Sequence, residues 1–433
     1  MSWVNSIVGW QYPETTIKKY LDSGKPRLLT MDFDFPCTSS CDLKCKYCFV
    51  ETDERERKGK ETELQGKLNV NQLKSVFADA AALGCKSGKL VGDQEPLQEK
   101  ALLDFLEYTS EKLDMWVVMF TNGFVLANEK KCYRIHGLKP RALIERLKGL
   151  RISIMLKFHS FDEKVEDALV GVPGYAEKRN RVLDDLIDAG FNDVPTFRTA
   201  EEKLLMTGAA EGECAKTWTR LGLESVITQS CVKDAERIYQ LKETKRLFID
   251  LDPAVPVGLT RSAEWRKCLG IDISKEEMLK IAQSLYAINK QIGIPFKGAS
   301  PYFGGLPCSQ LPYGLYVNAR GRIYPCCGCP EIQKDGSIEN LGNVFTPGAL
   351  KRAIEMNPYR VHYLQHGFAY DTPPFNSHDY PGYGIYHGCP FRDRAGDLLP
   401  QRWELEVAEF LEHLERDCAT CQESTCMAMK DNC

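Results

Sequence analysis

No stretch of about 18 apolar residues occurs in the 433-residue chain, so no transmembrane helix is expected. The opening Met1-Ser2-Trp3-Val4-Asn5 lacks the basic and apolar regions of a secretory signal. An excess of one charge sign is missing too. The 56 Lys and Arg against 60 Asp and Glu leave a net charge of −4, which gives no reason to expect nucleic acid or an anionic membrane as a partner. There is no fixed-period repeat and no low-complexity tract, which excludes solenoids and propellers. What the chain has in abundance is cysteine. Eighteen cysteines without an export signal point to a reducing, cytoplasmic setting, where grouped cysteines mean metal rather than disulfides.

The cysteines are unevenly spread. Cys85, Cys132, Cys214, Cys231 and Cys268 stand alone and are expected to pack as small hydrophobes. Cys41, Cys45 and Cys48 fall within eight residues, after the strand-like run Arg27 to Phe35. That places them at the carboxyl end of a strand, where α/β folds keep their chemistry. Three thiolates can wrap one face of an iron–sulfur cluster but cannot supply the usual fourth ligand, so one iron would stay open to a reacting molecule. Zinc is the competing reading, but it would want a second cysteine pair or nearby histidines, and none flank the loop. Cys37 breaks the spacing and is read as a neighbour.

From about 27 to 300, short apolar runs alternate with longer amphipathic ones, the mark of βαβ units and a parallel sheet. Strands are expected at Lys89–Val91, Trp116–Phe120, Arg151–Leu156, Val194–Phe197, Glu224–Thr228 and Leu247–Leu251. Helices are expected at Asn71–Leu83, Ala101–Leu113, Glu177–Ala189 and Lys275–Ile292. The fold class is α/β, a partial (β/α)6 TIM-like barrel over residues 1–300 followed by a second domain over 301–433.

The C-x3-C-x2-C spacing, with the aromatic Tyr47 just before the last cysteine, resembles the signature of the radical S-adenosylmethionine (SAM) enzymes. The resemblance implies a 4Fe-4S cluster on Cys41, Cys45 and Cys48, SAM chelated to its open iron, and a contact from Tyr47 to the cofactor. It also implies a flavodoxin- or ferredoxin-type electron donor. Val91-Gly92-Asp93-Gln94-Glu95-Pro96 sits where the family carries Gly-Gly-Glu-Pro; Gly92, Glu95 and Pro96 fit, while Asp93 and Gln94 replace glycines. Ser153 matches a position whose hydroxyl helps hold the SAM ribose or carboxylate, and Arg198 is a candidate partner for that carboxylate.

Cys308 and Cys326 bracket a β-hairpin, Tyr316 to Tyr324, with its turn at Asn318 to Gly321. The pattern resembles the opening of the SPASM auxiliary-cluster domain. Cys418-x2-Cys421-x4-Cys426-x6-Cys433 is close to that domain's second half, with departures in spacing. The resemblance implies one or two auxiliary 4Fe-4S clusters, one on Cys418, Cys421, Cys426 and Cys433. The other would draw on Cys308, Cys326, Cys327, Cys329 and Cys389. Residues 356–390 are rich in aromatics and histidines, including His362, Tyr363 and His387, and either wall a substrate cavity or connect cluster segments.

The activity implied is reductive cleavage of SAM to a 5′-deoxyadenosyl radical that removes a substrate hydrogen. A peptide or protein side chain ranks first as substrate, to be oxidised, crosslinked or epimerised. A sugar, aminocyclitol or nucleoside ranks second, although the 40 residues before Cys41 are too few for a separate peptide-recognition domain. A non-catalytic electron carrier is the alternative from another class.

Overall fold

A computed structural model describes residues 4–39, 41–48, 66–92, 94–210, 212, 214–254, 260, 263–292, 310, 312–327, 341–357, 360–361 and 363–364. Strand β2, Thr30–Asp34, reads Thr-Met-Asp-Phe-Asp. A parallel strand packed on both faces by apolar groups reads as a continuous apolar run. Here Met31 and Phe33 enter the main core, and alternation turns Thr30, Asp32 and Asp34 to the other side. One face of the sheet is therefore oily and covered by helices. The other faces a lumen and mixes polar groups with the apolar Val118, Met155 and Phe248, which pack against the segment before β2.

The remaining strands are β1 (Ser6–Ile7), β3 (Ser87–Gly92), β4 (Trp116–Thr121), β5 (Ile152–Lys157), β6 (Trp218–Thr219), β7 (Leu221–Ile227), β8 (Phe248–Pro253), β9 (Gly314–Val317), β10 (Arg322–Tyr324) and β11 (Gly342–Asn343). Eight of them join β2 in one nine-stranded sheet, in the order β11-β10-β9-β2-β3-β4-β5-β7-β8. Pairing is parallel from β9 through to β8, and antiparallel for β10 with its neighbours. The sheet is open among the described residues. The apolar spacing of Val70–Ala82 buries Leu73, Val76, Phe77 and Ala80, and an Asn69–Gln72 capping box starts that helix. Phe33, Phe77 and Phe105 meet edge-on or tilted at 4.7–5.5 Å between ring centres, a favoured aromatic geometry.

The segment before β2 stoppers the amino-terminal end of the lumen. β1 pairs with β6, Trp10 packs on Phe120 and Phe248, and the Tyr12 hydroxyl donates to Ser87 Oγ at 2.8 Å. No helix among the described residues is long and apolar enough to cross a membrane.

Three expectations need correcting. Residues 194–197 form no strand; the next strand of the sheet is β7, so the chain between helix Tyr175–Asp188 and β6 is longer than the pattern suggests. The expected division at residue 300 cuts through one sheet: β9 pairs with β2, Thr30 opposite Gly314, so the hairpin extends the barrel sheet rather than opening a detached unit. Cys214 and Cys268 are exposed, whereas Cys37, Cys85, Cys132 and Cys231 are buried as packing residues should be.

Candidate active site

The cysteine loop leaves β2 at its carboxyl end and is pinned from three sides. Glu99 takes the backbone N–H groups of Thr38 and Ser39 on one carboxylate oxygen at 2.8 and 2.7 Å, and the Thr38 hydroxyl on the other at 2.9 Å. Gln94 Oε1 accepts from the Cys41 backbone N–H at 2.8 Å. The Lys44 and Lys46 N–H groups donate to Val170 and Leu169 carbonyls at 2.8 and 3.0 Å. Gly171 makes this last contact possible: a Cβ there would lie 2.9 Å from the Lys44 carbonyl oxygen, and its φ of +69° suits glycine. From the far side, the Trp265 indole N–H donates to the Lys46 carbonyl at 3.0 Å.

Glu95 is buried and fully engaged. Its carboxylate accepts from Thr121 Oγ1 at 2.6 Å, the Asn122 N–H at 2.9 Å and the Leu97 N–H at 3.2 Å. Burial raises its pKa, and these donors oppose the rise. It ties the exit of β3 to the exit of β4. Asn122 in turn donates from Nδ2 to Cys41 Sγ at 3.6 Å, and the Leu43 N–H points at the same sulfur at 3.5 Å. Gly92, the last residue of β3, pairs with Asp34 across a bulge.

Lys157, the last residue of β5, escapes sequence reasoning, because a lysine ending an apolar run reads as a solvated strand end. It sits 4.0 Å from Glu224 and 5.2 Å from the Tyr47 ring centre. Burial works against its charge, but Glu224 and the thiols of Cys45, Cys48 and Cys41 outweigh it and raise its pKa. The thiols respond to burial as well: Cys41 is pushed up to about 12 and Cys45 to about 11. A coordinating iron would displace those protons.

Two expected cofactor contacts lie elsewhere. Ser153 is the second residue of β5, at the amino-terminal end of the lumen, and its hydroxyl donates to the Val8 carbonyl at 2.8 Å. It anchors the stopper segment. Arg198 is half exposed, 4.0 Å from Asp114. Its backbone N–H donates to Glu202, which also pairs with Arg151 and Trp116 at the beginnings of β5 and β4. Both residues are at the opposite end of the strands from the cysteine loop. Tyr47 is buried between Cys45 and Cys48, its ring 4.7 Å from that of His159. Cys326 and Cys327 are partly exposed after β10. Cys308, Cys329, Cys389, Cys418, Cys421, Cys426 and Cys433 lie outside the described residues, as does most of 356–390. Tyr363 is described and donates to Asp22 at 3.2 Å.

These residues suit an iron–sulfur cluster. Two N–H groups are aimed at one cysteine sulfur, as cluster thiolates require, and a lysine balances the negative charge. Nε2 of His159 is buried beside the loop without a hydrogen-bond partner among the described residues. No group of three His, Cys, Asp or Glu among the described residues converges on a single ion; a cubane asks for no such convergence, since each thiolate takes its own iron.

Comparison with known proteins points the same way. Residues 35–200 match the Radical SAM superfamily, and this part of the chain is a radical SAM domain. The "S-adenosylmethionine-dependent nucleotide dehydratase" of Fibrobacter sp. (strain UWH6) is 26% identical over 184 residues, covering 40% of this chain and 53% of that protein. The chain thus spans about half the length of this curated relative. Among solved structures, a truncated 3-deoxy-D-arabino-heptulosonate 7-phosphate synthase from Thermotoga maritima aligns over 61% of this chain and 88% of that one. Its identity is 11% and its TM-score 0.19, too low to carry an argument. The family of the matched domain implies a 4Fe-4S cluster and SAM.

Proposed function

We propose that the chain is a radical SAM enzyme acting on a small polar molecule held in the barrel lumen beneath the cysteine loop. The lumen is the observation that carries this reading. Its wall presents Asp32, Lys89, Lys157, Glu224 and Asp250 on alternating strand positions, and the Val4–Tyr12 segment stoppers its lower end. A charged interior of this kind fits a compact substrate with several polar groups. This ranks a small molecule above a peptide or protein side chain, as does the likeness to a nucleotide dehydratase.

With cluster and SAM bound, reductive cleavage of SAM supplies a 5′-deoxyadenosyl radical that removes a hydrogen atom from the substrate. The chain's own residues do the rest. Glu99, Gln94 and Glu95 hold the loop in register with β3 and β4. Lys157 offers a cation at the lumen's upper end. Asp32 is bridged to Lys89 at 3.2 Å and accepts from Gln310 at 2.8 Å, a fixed polar floor for orienting a substrate. Burial and Glu224 beside it raise the Asp250 pKa above the ordinary carboxylate range, with Lys89 and Lys242 pulling back.

An auxiliary cluster on Cys418, Cys421, Cys426 and Cys433 belongs to the same proposal. Reconstituted protein should then hold about eight irons, four per cubane. A chain with about four irons, and zinc on those cysteines, would remove it. The substrate class is tested by adding fractionated cell extract to reconstituted enzyme with SAM and dithionite. The small-molecule filtrate should stimulate 5′-deoxyadenosine formation. Stimulation by the macromolecular fraction alone would return the peptide reading to first place.

A further inference from the structure

At the exit of β4, one buried asparagine is fixed through every polar atom it has. Asn122 is 3% exposed. Its backbone N–H donates to Glu95 Oε2 at 2.9 Å, and its carbonyl accepts from the Tyr175 hydroxyl at 2.8 Å. Its side-chain Oδ1 accepts the Phe124 backbone N–H at 2.8 Å, an Asx-type turn. The residue between them suits only glycine: Gly123 has a φ of +72°, and a Cβ there would lie 2.8 Å from Leu156 Cδ1. The exit of β3, the turn itself and the helix Tyr175–Asp188 thus hold Asn122 together.

This network fixes which way the amide points. A backbone N–H can only donate, so the amide atom that meets Phe124 is the oxygen, and the other is the NH2 group. Among the described residues, the partner of that group is Cys41 Sγ, 3.6 Å away. The Leu43 N–H meets the same sulfur at 3.5 Å. A primary amide keeps both protons across the pH range of a folded protein, so the donor needs no assumed charge state or tautomer.

A neutral thiol is a weak acceptor, a modest partner for a buried amide held this firmly. A thiolate that ligates iron is a stronger one, because the hydrogen bond is then charge-assisted. A cluster on three thiolates is anionic and gains one more negative charge on reduction. A donor at one of its sulfurs therefore favours the reduced state, and hydrogen bonds to the sulfurs are among the factors that set such potentials.

We propose that Asn122 tunes the cluster held by Cys41, Cys45 and Cys48: its side-chain N–H hydrogen-bonds the Cys41 sulfur and raises the reduction potential. The inference rests on the radical SAM reading of that loop. Asn122 is a positioning residue here. No bond forms or breaks at its amide, and one electron from an external reductant enters the cluster.

The experiment is an EPR-monitored redox titration, with iron content, of reconstituted wild type, Asn122→Ser and Asn122→Asp. A serine hydroxyl can keep the turn to Phe124 but is too short to reach Cys41. Aspartate keeps the turn and puts an acceptor where the donor was. In Asn122→Ser the reduction equilibrium should shift about tenfold toward the oxidised cluster, ~59 mV for one electron, and in Asn122→Asp further. An unmoved midpoint in Asn122→Ser at wild-type iron content overturns the proposal. If that variant assembles no cluster, the Asn122→Asp midpoint decides by the same criterion; if neither holds iron, the residue serves assembly and the proposal falls. Protein carrying nitrogen-15 in its asparagine side chains should also show a weak nitrogen coupling to the reduced cluster in pulsed EPR, lost in Asn122→Ser. A shifted midpoint with no such coupling in the wild type would assign the shift to loop distortion and equally overturn the proposal. A wild type that assembles no SAM-responsive cluster would remove the radical SAM reading itself, a failure distinct from an unmoved midpoint.

Discussion

The side-chain oxygen of Gln94 accepts the backbone N–H of Cys41 at 2.8 Å, so a residue standing where related enzymes carry glycine holds the first cysteine of the loop. With Glu99 on Thr38 and Ser39, it turns the segment after β3 into a clamp. The departure from a glycine-rich segment, which weakens the motif as a sequence pattern, has a structural role.

Gln94→Ala removes that hydrogen bond and leaves the partly buried Cys41 N–H to seek water. A cost of about 1 kcal/mol corresponds to about a fivefold gain in loop opening. Iron release to a chelator from reconstituted protein should speed up by about that factor, with the thermal stability of the barrel unchanged. Equal release rates would show that the clamp does not hold the loop.

Ser153→Ala and Arg198→Ala should leave SAM affinity unchanged, since both residues sit at the far end of the strands. Ser153→Ala should still lower stability by about 1 kcal/mol through loss of the bond to Val8. Calorimetric titration with SAM, beside urea unfolding, checks both. A weakening of SAM binding by either substitution would contradict the placement.

How much can be read from the chain alone is clear from these residues. The cysteine loop, the alternation of β2 and helix Lys275–Ile292 are local patterns, set by periodicity and spacing, and they are legible. Ser153 is assigned by position in a motif, and the motif does not say at which end of its strand a side chain lies; Arg198 is assigned as the residue after a strand at 194–197 that does not form. Lys157, Gln94 and Glu99 act across long separations in the chain, and nothing local marks them. The pairing of β9 with β2 is equally hidden, since a hairpin's own sequence does not reveal which distant edge it joins.

Lys157→Met removes the cation that the three thiols and Glu224 share. SAM affinity of the cluster-loaded enzyme should fall about tenfold or more, ~1.4 kcal/mol, while Lys157→Arg keeps most of it. Wild-type affinity in the methionine variant would exclude Lys157 from the cofactor site.

Glu166 is held at about 2, against an ordinary 4.5, by His159 and Arg179 despite its burial. A depressed carboxylate stabilises the fold above the unfolded value and loses that contribution as pH falls from about 4.5 toward about 2. Glu166→Gln breaks a buried pair and should cost about 3 kcal/mol in urea unfolding of the apo-protein at pH 7. The gap to wild type should shrink through that acid window. A gap that stays constant would mean the carboxylate is not charged in the fold.

Above all, Cys41, Cys45 and Cys48 are expected to hold the cluster that cleaves SAM. The most direct measurement is 5′-deoxyadenosine formed from SAM under dithionite by anaerobically reconstituted protein, beside the variant with all three cysteines replaced by alanine. The expected result is product from the wild type and none from the variant. Product from the variant, or none from a wild type carrying a full complement of iron, would contradict it.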